Sequence, residues 1–177
     1  MPLQLSDKVR ALGDQAQREL VDEFSRIDTI AQENTQRVLA AFQDHRVADS
    51  YFAGTTGYGY DDLGRDKLDE IYADLFGTEA ALVRIQFVNG THAIASALFG
   101  ALKSGDVLVS AVGAPYDTLL GVIGTAEKGH GSLKDYGVEY RQVELVDDAP
   151  DLEGIARTAA NPKVKAVLIQ RSKGYST

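Results

Sequence analysis

From Leu82 to Gln170 the sequence alternates short apolar, β-branched runs with one-faced helical stretches, and this alternation constrains the fold more than any single motif. Leu82–Val88 reads as a strand, Thr91–Leu102 as a helix closed by Ser104 and Gly105, and Val107–Val112 as a second strand. Thr118–Ala126 follows as a helix behind an Asp117 cap, then Glu139–Leu145 as strand, Leu152–Ala160 as helix and Val164–Gln170 as strand. Antiparallel neighbours can be joined by tight turns, whereas strands separated by single helices need crossover connections. The pattern therefore predicts an α/β domain with a largely parallel sheet covered on both faces.

Ahead of this region lies a different texture. The first 47 residues contain no Gly except Gly13, and Val9, Leu12, Ala16, Leu20 and Phe24 recur at three- and four-residue steps, which puts them on one helical face. A second helical run is expected from about Asp28, a plausible N-cap, with Ile30, Val38, Ala41 and Phe42 as its apolar positions. Residues 1–52 thus read as a helical arm that packs on a larger body or on a second subunit. Ala53–Gly64 then breaks into a Gly- and Tyr-rich loop. Helix returns over Arg65–Phe76 with Leu68, Ile71, Tyr72 and Leu75 buried and Gly77 as its stop.

Composition narrows the function classes. The 18 Lys+Arg against 26 Asp+Glu leave a formal charge of −8, a poor match to phosphate backbones or anionic lipid, so neither nucleic acid nor a membrane surface is an expected partner. The absence of Cys removes disulfides, thiolate metal sites and a Cys nucleophile, and suits a reducing cytoplasm. No apolar run approaches the roughly 20 residues of a membrane span. The three histidines, His45, His92 and His130, lack metal-ligand spacing, so no metal is expected.

Ligands of open α/β sheets bind beyond the carboxyl ends of the strands. There, Asn89-Gly90-Thr91-His92 opens the most apolar helix of the chain. Its free N–H groups, the positive end of the helix dipole and the Thr91 hydroxyl suit a phosphate, although Asn89 or Thr91 would equally make an ordinary N-cap. The neighbouring loop carries Tyr116, which could stack on a planar ring in the same crevice or pack over its own turn. Neither a dinucleotide-binding glycine turn nor a P-loop is present. Asp61-Asp62, a paper triad of Ser172, His130 and Asp117, and Lys173 beyond the last strand are weaker sites for chemistry, each with an ordinary structural explanation.

Taken together, Gly57-Tyr58-Gly59-Tyr60-Asp61-Asp62-Leu63-Gly64-Arg65, Ala81-Leu82-Val83-Arg84, Asn89-Gly90-Thr91-His92-Ala93, Pro115-Tyr116-Asp117-Thr118, Gly131-Ser132-Leu133-Lys134 and Ile169-Gln170-Arg171-Ser172-Lys173-Gly174-Tyr175-Ser176 resemble the N-terminal part of a fold-type-I pyridoxal-phosphate enzyme. More narrowly, they resemble the cystathionine β-lyase-like aluminium-resistance family of the Cys/Met-metabolism group, related to methionine γ-lyase. The resemblance implies a three-layer, aspartate aminotransferase-like large domain of which residues 53–177 would be the first part. It implies a soluble cytoplasmic carbon–sulfur lyase that acts on a sulfur amino acid with pyridoxal 5′-phosphate as cofactor.

On the same resemblance, Gly90 and Thr91 hold the cofactor phosphate, His92 lines that turn and Tyr116 stacks on the pyridine ring. Tyr58 and Tyr60 fall where related enzymes reach the phosphate of the neighbouring subunit, which implies a homodimer or homotetramer with shared sites. The Schiff-base lysine and the small C-terminal domain of the family lie downstream of Thr177, so the 177 residues alone are expected to be a piece without turnover. Two other readings compete: an inactive interaction or oligomerisation module, and a nucleotide-binding α/β protein using the same phosphate turn.

Overall fold

The structure, a computed structural model, describes residues 5–58, 60, 62–126 and 130–171. The chain divides into two compact units, Met1–Arg84 and Ile85–Thr177.

In the first unit, α1 (Asp7–Glu19) and α2 (Val21–Asp44) are separated by Leu20 alone. Ser6 caps α1 by accepting the Val9 N–H. Asp28 caps nothing, contrary to expectation. It lies inside α2, because the apolar spacing Leu20, Phe24, Ile27 carries the helix through it and no Gly or Pro interrupts. A 3-10 turn, Asp49–Phe52, leads to α3 (Leu63–Phe76), which ends as expected at Gly77 with φ 63°. Helix α3 is tied to α2: the Arg37 guanidinium donates to the Leu75 carbonyl at 3.2 Å, and His45 lies 3.6 Å from Glu70 and 3.4 Å from Asp74. Ala41 of α2 and Ile71 of α3 are buried.

The second unit holds the sheet. Helix α4 (Gly90–Ala101) precedes β1 (Val107–Ser110), followed by α5 (Asp117–Ile123), β2 (Glu139–Gln142), a small antiparallel pair β3 (Leu145–Val146) and β4 (Ala149–Pro150), α6 (Leu152–Ala159) and β5 (Val164–Leu168). The sheet order is β2-β1-β5, and both pairings are parallel, with Leu108 opposite Tyr140 on one side and Ala166 on the other. Side chains alternate across a strand, so successive residues of β1 feed two cores. Leu108 packs with Leu98 of α4, Leu102 just past its end, Leu119 and Ile123 of α5, Leu133 and Val138. Val107 and Val109 pack on the opposite face with Val143, Ile155 of α6 and Val164. The parallel sheet covered on both faces is therefore present.

Two expected strands differ. Residues 82–88 pair with no strand among the described residues. Within the first unit, the Val83 N–H and the Arg84 guanidinium instead both donate to Asp69 Oδ1, at 2.8 and 2.7 Å. Side-chain acceptance there replaces a ladder partner. The expected strand over residues 139–145 stops at Gln142. The chain then turns into the β3–β4 hairpin, whose connection places Asp147 and Asp148 at positive φ.

Candidate functional site

The site is built where β1 ends. Because β1, β2 and β5 are parallel, their carboxyl ends share one edge, and the helices α4 and α5 begin at that edge. The chain leaving β1 is anchored on both sides: Ala111 N–H donates to Leu168 O at 2.9 Å and Gly113 N–H to Val143 O at 2.8 Å, while the buried Ser110 hydroxyl donates to Gly113 O at 2.6 Å. Pro115 is buried, and half-buried Tyr116 is the N-cap residue of α5. The expected Asp117 cap is not made; Asp117 is the first helical residue, and Tyr116 O takes the first helical bond from the Leu119 N–H at 2.9 Å.

Helix α4 is capped by Asn89, whose Oδ1 accepts the His92 N–H at 2.9 Å and whose carbonyl accepts the Ala93 N–H at 3.1 Å. Those bonds use the third and fourth N–H groups of the helix. No acceptor among the described residues lies on the first two, those of Gly90 and Thr91. Open space surrounds Gly90, where even an added Cβ would meet nothing within 4 Å. The Thr91 and Thr118 hydroxyls lie 2.8 Å apart and so join the first turns of α4 and α5. One proton of this pair serves the contact, and the other is left to donate outward. Two N–H groups, a hydroxyl proton and the positive end of α4 form a donor set with the chemistry of an anion site.

The predicted site residues distribute as follows. Gly90, Thr91 and Tyr116 belong to the two loops that open α4 and α5. His92 is on the same turn, but its side chain serves the turn itself: Nδ1 accepts the Val88 N–H at 3.3 Å, and the ring meets Phe87 edge-on at 5.7 Å. Tyr58 and Tyr60, in the first unit, are 84% and 83% exposed. Asp62 is a structural cap that accepts from Arg65 N–H and the Thr55 hydroxyl. Asp61, Ser172 and Lys173 lie outside the described residues. Among the described residues, no His, Asp and Glu side chains cluster as a metal site, and no helix is long and apolar enough to cross a membrane.

Two contributors went unrecognised in the sequence. Thr118 pairs with Thr91, and Gln170 Oε1 accepts the Tyr116 N–H at 2.8 Å. Both sit at the first position or two of a strand exit or helix entry, and that placement was their only signal. Away from the site, at the C-terminal end of α5, the Asp135 carboxyl is held below its ordinary range by the Ser132 N–H and hydroxyl, which shapes the 131–135 turn. Burial pushes the Tyr140 phenol up, and its hydroxyl donates to Gln142 Oε1 at 2.7 Å.

Fold and site together define an α/β protein with a cup of backbone and hydroxyl donors at the carboxyl edge of a parallel sheet, beside a tyrosine-bearing loop. Residues 9–177 match the family described as methionine gamma-lyase, and the chain belongs to that family. A candidate cystathionine beta-lyase involved in aluminum resistance from Clostridium acetobutylicum is 44% identical, with a TM-score of 0.91 over 97% of this chain and 42% of its own. A carbon-sulfur lyase involved in aluminum resistance from Clostridium novyi NT is 45% identical, with a TM-score of 0.90 over 95% of this chain and 41% of its own. The uncharacterized protein YnbB of Bacillus subtilis (strain 168) is 50% identical over 152 residues, 85% of this chain and 36% of that protein. The chain thus spans about two fifths of the length of the relatives it matches.

Proposed function

We propose that these residues form the phosphate-binding side of a pyridoxal 5′-phosphate site in a carbon–sulfur lyase of fold type I. The observation that carries this reading is the cup itself: two N–H groups of α4 without acceptors, the Thr91–Thr118 hydroxyl pair at 2.8 Å and open space at Gly90. These residues fit a phosphate monoester, which needs convergent donors and room for three oxygens. Membership of the methionine gamma-lyase family and the lyase names of its neighbours support the cofactor and the reaction class.

In this reading the N–H groups of Gly90 and Thr91 and the spare hydroxyl proton bind the phosphate, and the α4 dipole offsets its charge. The Tyr116 ring covers one face of the pyridine, excludes water from it and orients it. Asn89 and His92 keep the turn in the shape that presents the donors. When bound, the cofactor supplies an electron sink for the substrate's α-carbon. The substrate class is a sulfur-containing amino acid such as cystathionine or methionine, cleaved with release of ammonia and a 2-oxo acid. Exposed Tyr58 and Tyr60, and the exposed Val9, Leu12, Phe24 and Ile27 of the helical arm, support a homo-oligomer with sites shared between subunits.

Calorimetric titration with pyridoxal phosphate and with pyridoxal tests the phosphate assignment. The phosphorylated form is expected to bind at least about tenfold more tightly, the worth of one or two charge-assisted hydrogen bonds, and Thr91→Val to narrow that gap. Equal binding of the two compounds overturns the reading.

A further inference from the structure

The backbone of Tyr116 is gripped on both sides. Its carbonyl accepts the Leu119 N–H at 2.9 Å, and its N–H donates to Gln170 Oε1 at 2.8 Å across 54 residues of sequence. Gln170 lies just past β5, which pairs with β1, the strand whose exit loop carries Tyr116. Pro115, immediately before it, has no N–H, so the Tyr116 N–H is the last donor through which the peptide next to the ring can be fixed before α5 begins. Only the oxygen end of a carboxamide can accept, and this fixes which way the Gln170 amide faces.

We propose that Gln170 is a positioning residue that sets the pose of the Tyr116 ring by holding its peptide plane. The proposal rests on the reading of this edge as a pyridoxal phosphate site. A glutamate would hold the same N–H more strongly, but it would bring a negative charge to the edge where the phosphate binds. A neutral acceptor orients the stacking ring at no electrostatic cost to the anion.

The chain has no Trp, so Tyr116→Trp creates a single fluorescent reporter on this loop. In the wild-type full chain without cofactor, the Tyr116 amide is expected to exchange with deuterium at least about tenfold more slowly than in Gln170→Leu, the loss of one hydrogen bond. In the Tyr116→Trp background, Gln170→Leu lowers emission anisotropy and weakens quenching by pyridoxal phosphate about tenfold. Gln170→Glu preserves the anisotropy while still weakening quenching. An unprotected Tyr116 amide in the wild-type chain overturns the proposal, and this measurement decides it even if the leucine variant fails to fold. Anisotropy and quenching that ignore Gln170→Leu overturn it equally. Failure of pyridoxal phosphate to quench the tryptophan with Gln170 intact instead counts against the cofactor reading and leaves the exchange measurement to judge the clamp.

Discussion

The Thr91 hydroxyl meets the Thr118 hydroxyl at 2.8 Å, and that contact turns two unremarkable threonines into one directed donor. Thr118→Val therefore frees Thr91 to rotate, and is expected to weaken pyridoxal phosphate binding by a fewfold, less than Thr91→Val; titration of both variants checks the order. A second residue-scale prediction concerns Asp69, whose carboxyl is held below its ordinary range chiefly by the Arg84 guanidinium at 2.7 Å. A depressed pKa means that folding favours the ionised form. The contribution is complete above the unfolded-state value near pH 4 and fades as pH falls through the folded-state value. Asp69→Asn should cost about 1 kcal/mol at pH 7, since the Val83 N–H keeps an acceptor while the charge pairing is lost, and less at pH 2.5, below the unfolded-state value. Thermal unfolding at the two pH values reads this difference. Residue roles of this kind were only half legible in the sequence. Asn89 and Thr91 stand out by type and position, but the partners Thr118 and Gln170 are distant in sequence and known only once the strands are in register.

Elements were read more surely than their ends. The six described helices were visible from apolar spacing, and β1 from the continuous apolar run that burial on both faces of a parallel sheet leaves, whereas β2 and β5 keep polar residues among their apolar ones and were marked mainly by their place between helices. The segment 82–88 carries the same composition, yet strand formation needs a ladder partner, which composition does not reveal. Capping by Asp28 and Asp117 failed for a related reason: a cap requires the backbone to leave the helix, and apolar spacing kept Asp28 inside while Tyr116 took the boundary at α5. Two predictions belong here. Asn89→Ala removes the side-chain cap of α4 and should destabilise the chain by about 1 kcal/mol in denaturant titration, while weakening phosphate binding because the first turn frays. Gly64 opens α3 so close to the 3-10 turn that a methyl group would lie inside contact distance of the Tyr51 carbonyl oxygen. Gly64→Ala should therefore cost roughly 2 kcal/mol or more, against a helix-interior substitution of Gly by Ala that ordinarily stabilises.

At the scale of the whole molecule, the two units meet in sequence at an exposed turn where Ile85 and Val88 are 93% and 81% exposed. Limited proteolysis should cut first within residues 85–88 and release two fragments whose masses correspond to the two units; first cleavage inside α2 or β1 would contradict this division. The two long N-terminal helices, the α/β class and the covered parallel sheet were all within reach of the sequence, since each rests on periodicity, whereas the arm expected over residues 1–52 does not coincide with the first unit, which runs to Arg84. The family was within reach as well, because several short motifs recur in order. The division near Arg84 was not, because no Gly- or Pro-rich linker marks it and the boundary follows the hydrogen bonding of Asp69 instead.

The grip of Gln170 on Tyr116 also has a bearing on the timing of synthesis. A strand that pairs in parallel with distant segments cannot find its neighbours early, and loop closure over long separations is slow. Since β1 waits for β5 on one flank and Tyr116 waits for a residue 54 positions later, the cup can take its final form only after residue 170 has cleared the ribosome. On the reading proposed above, cofactor capture then follows completion of the sheet.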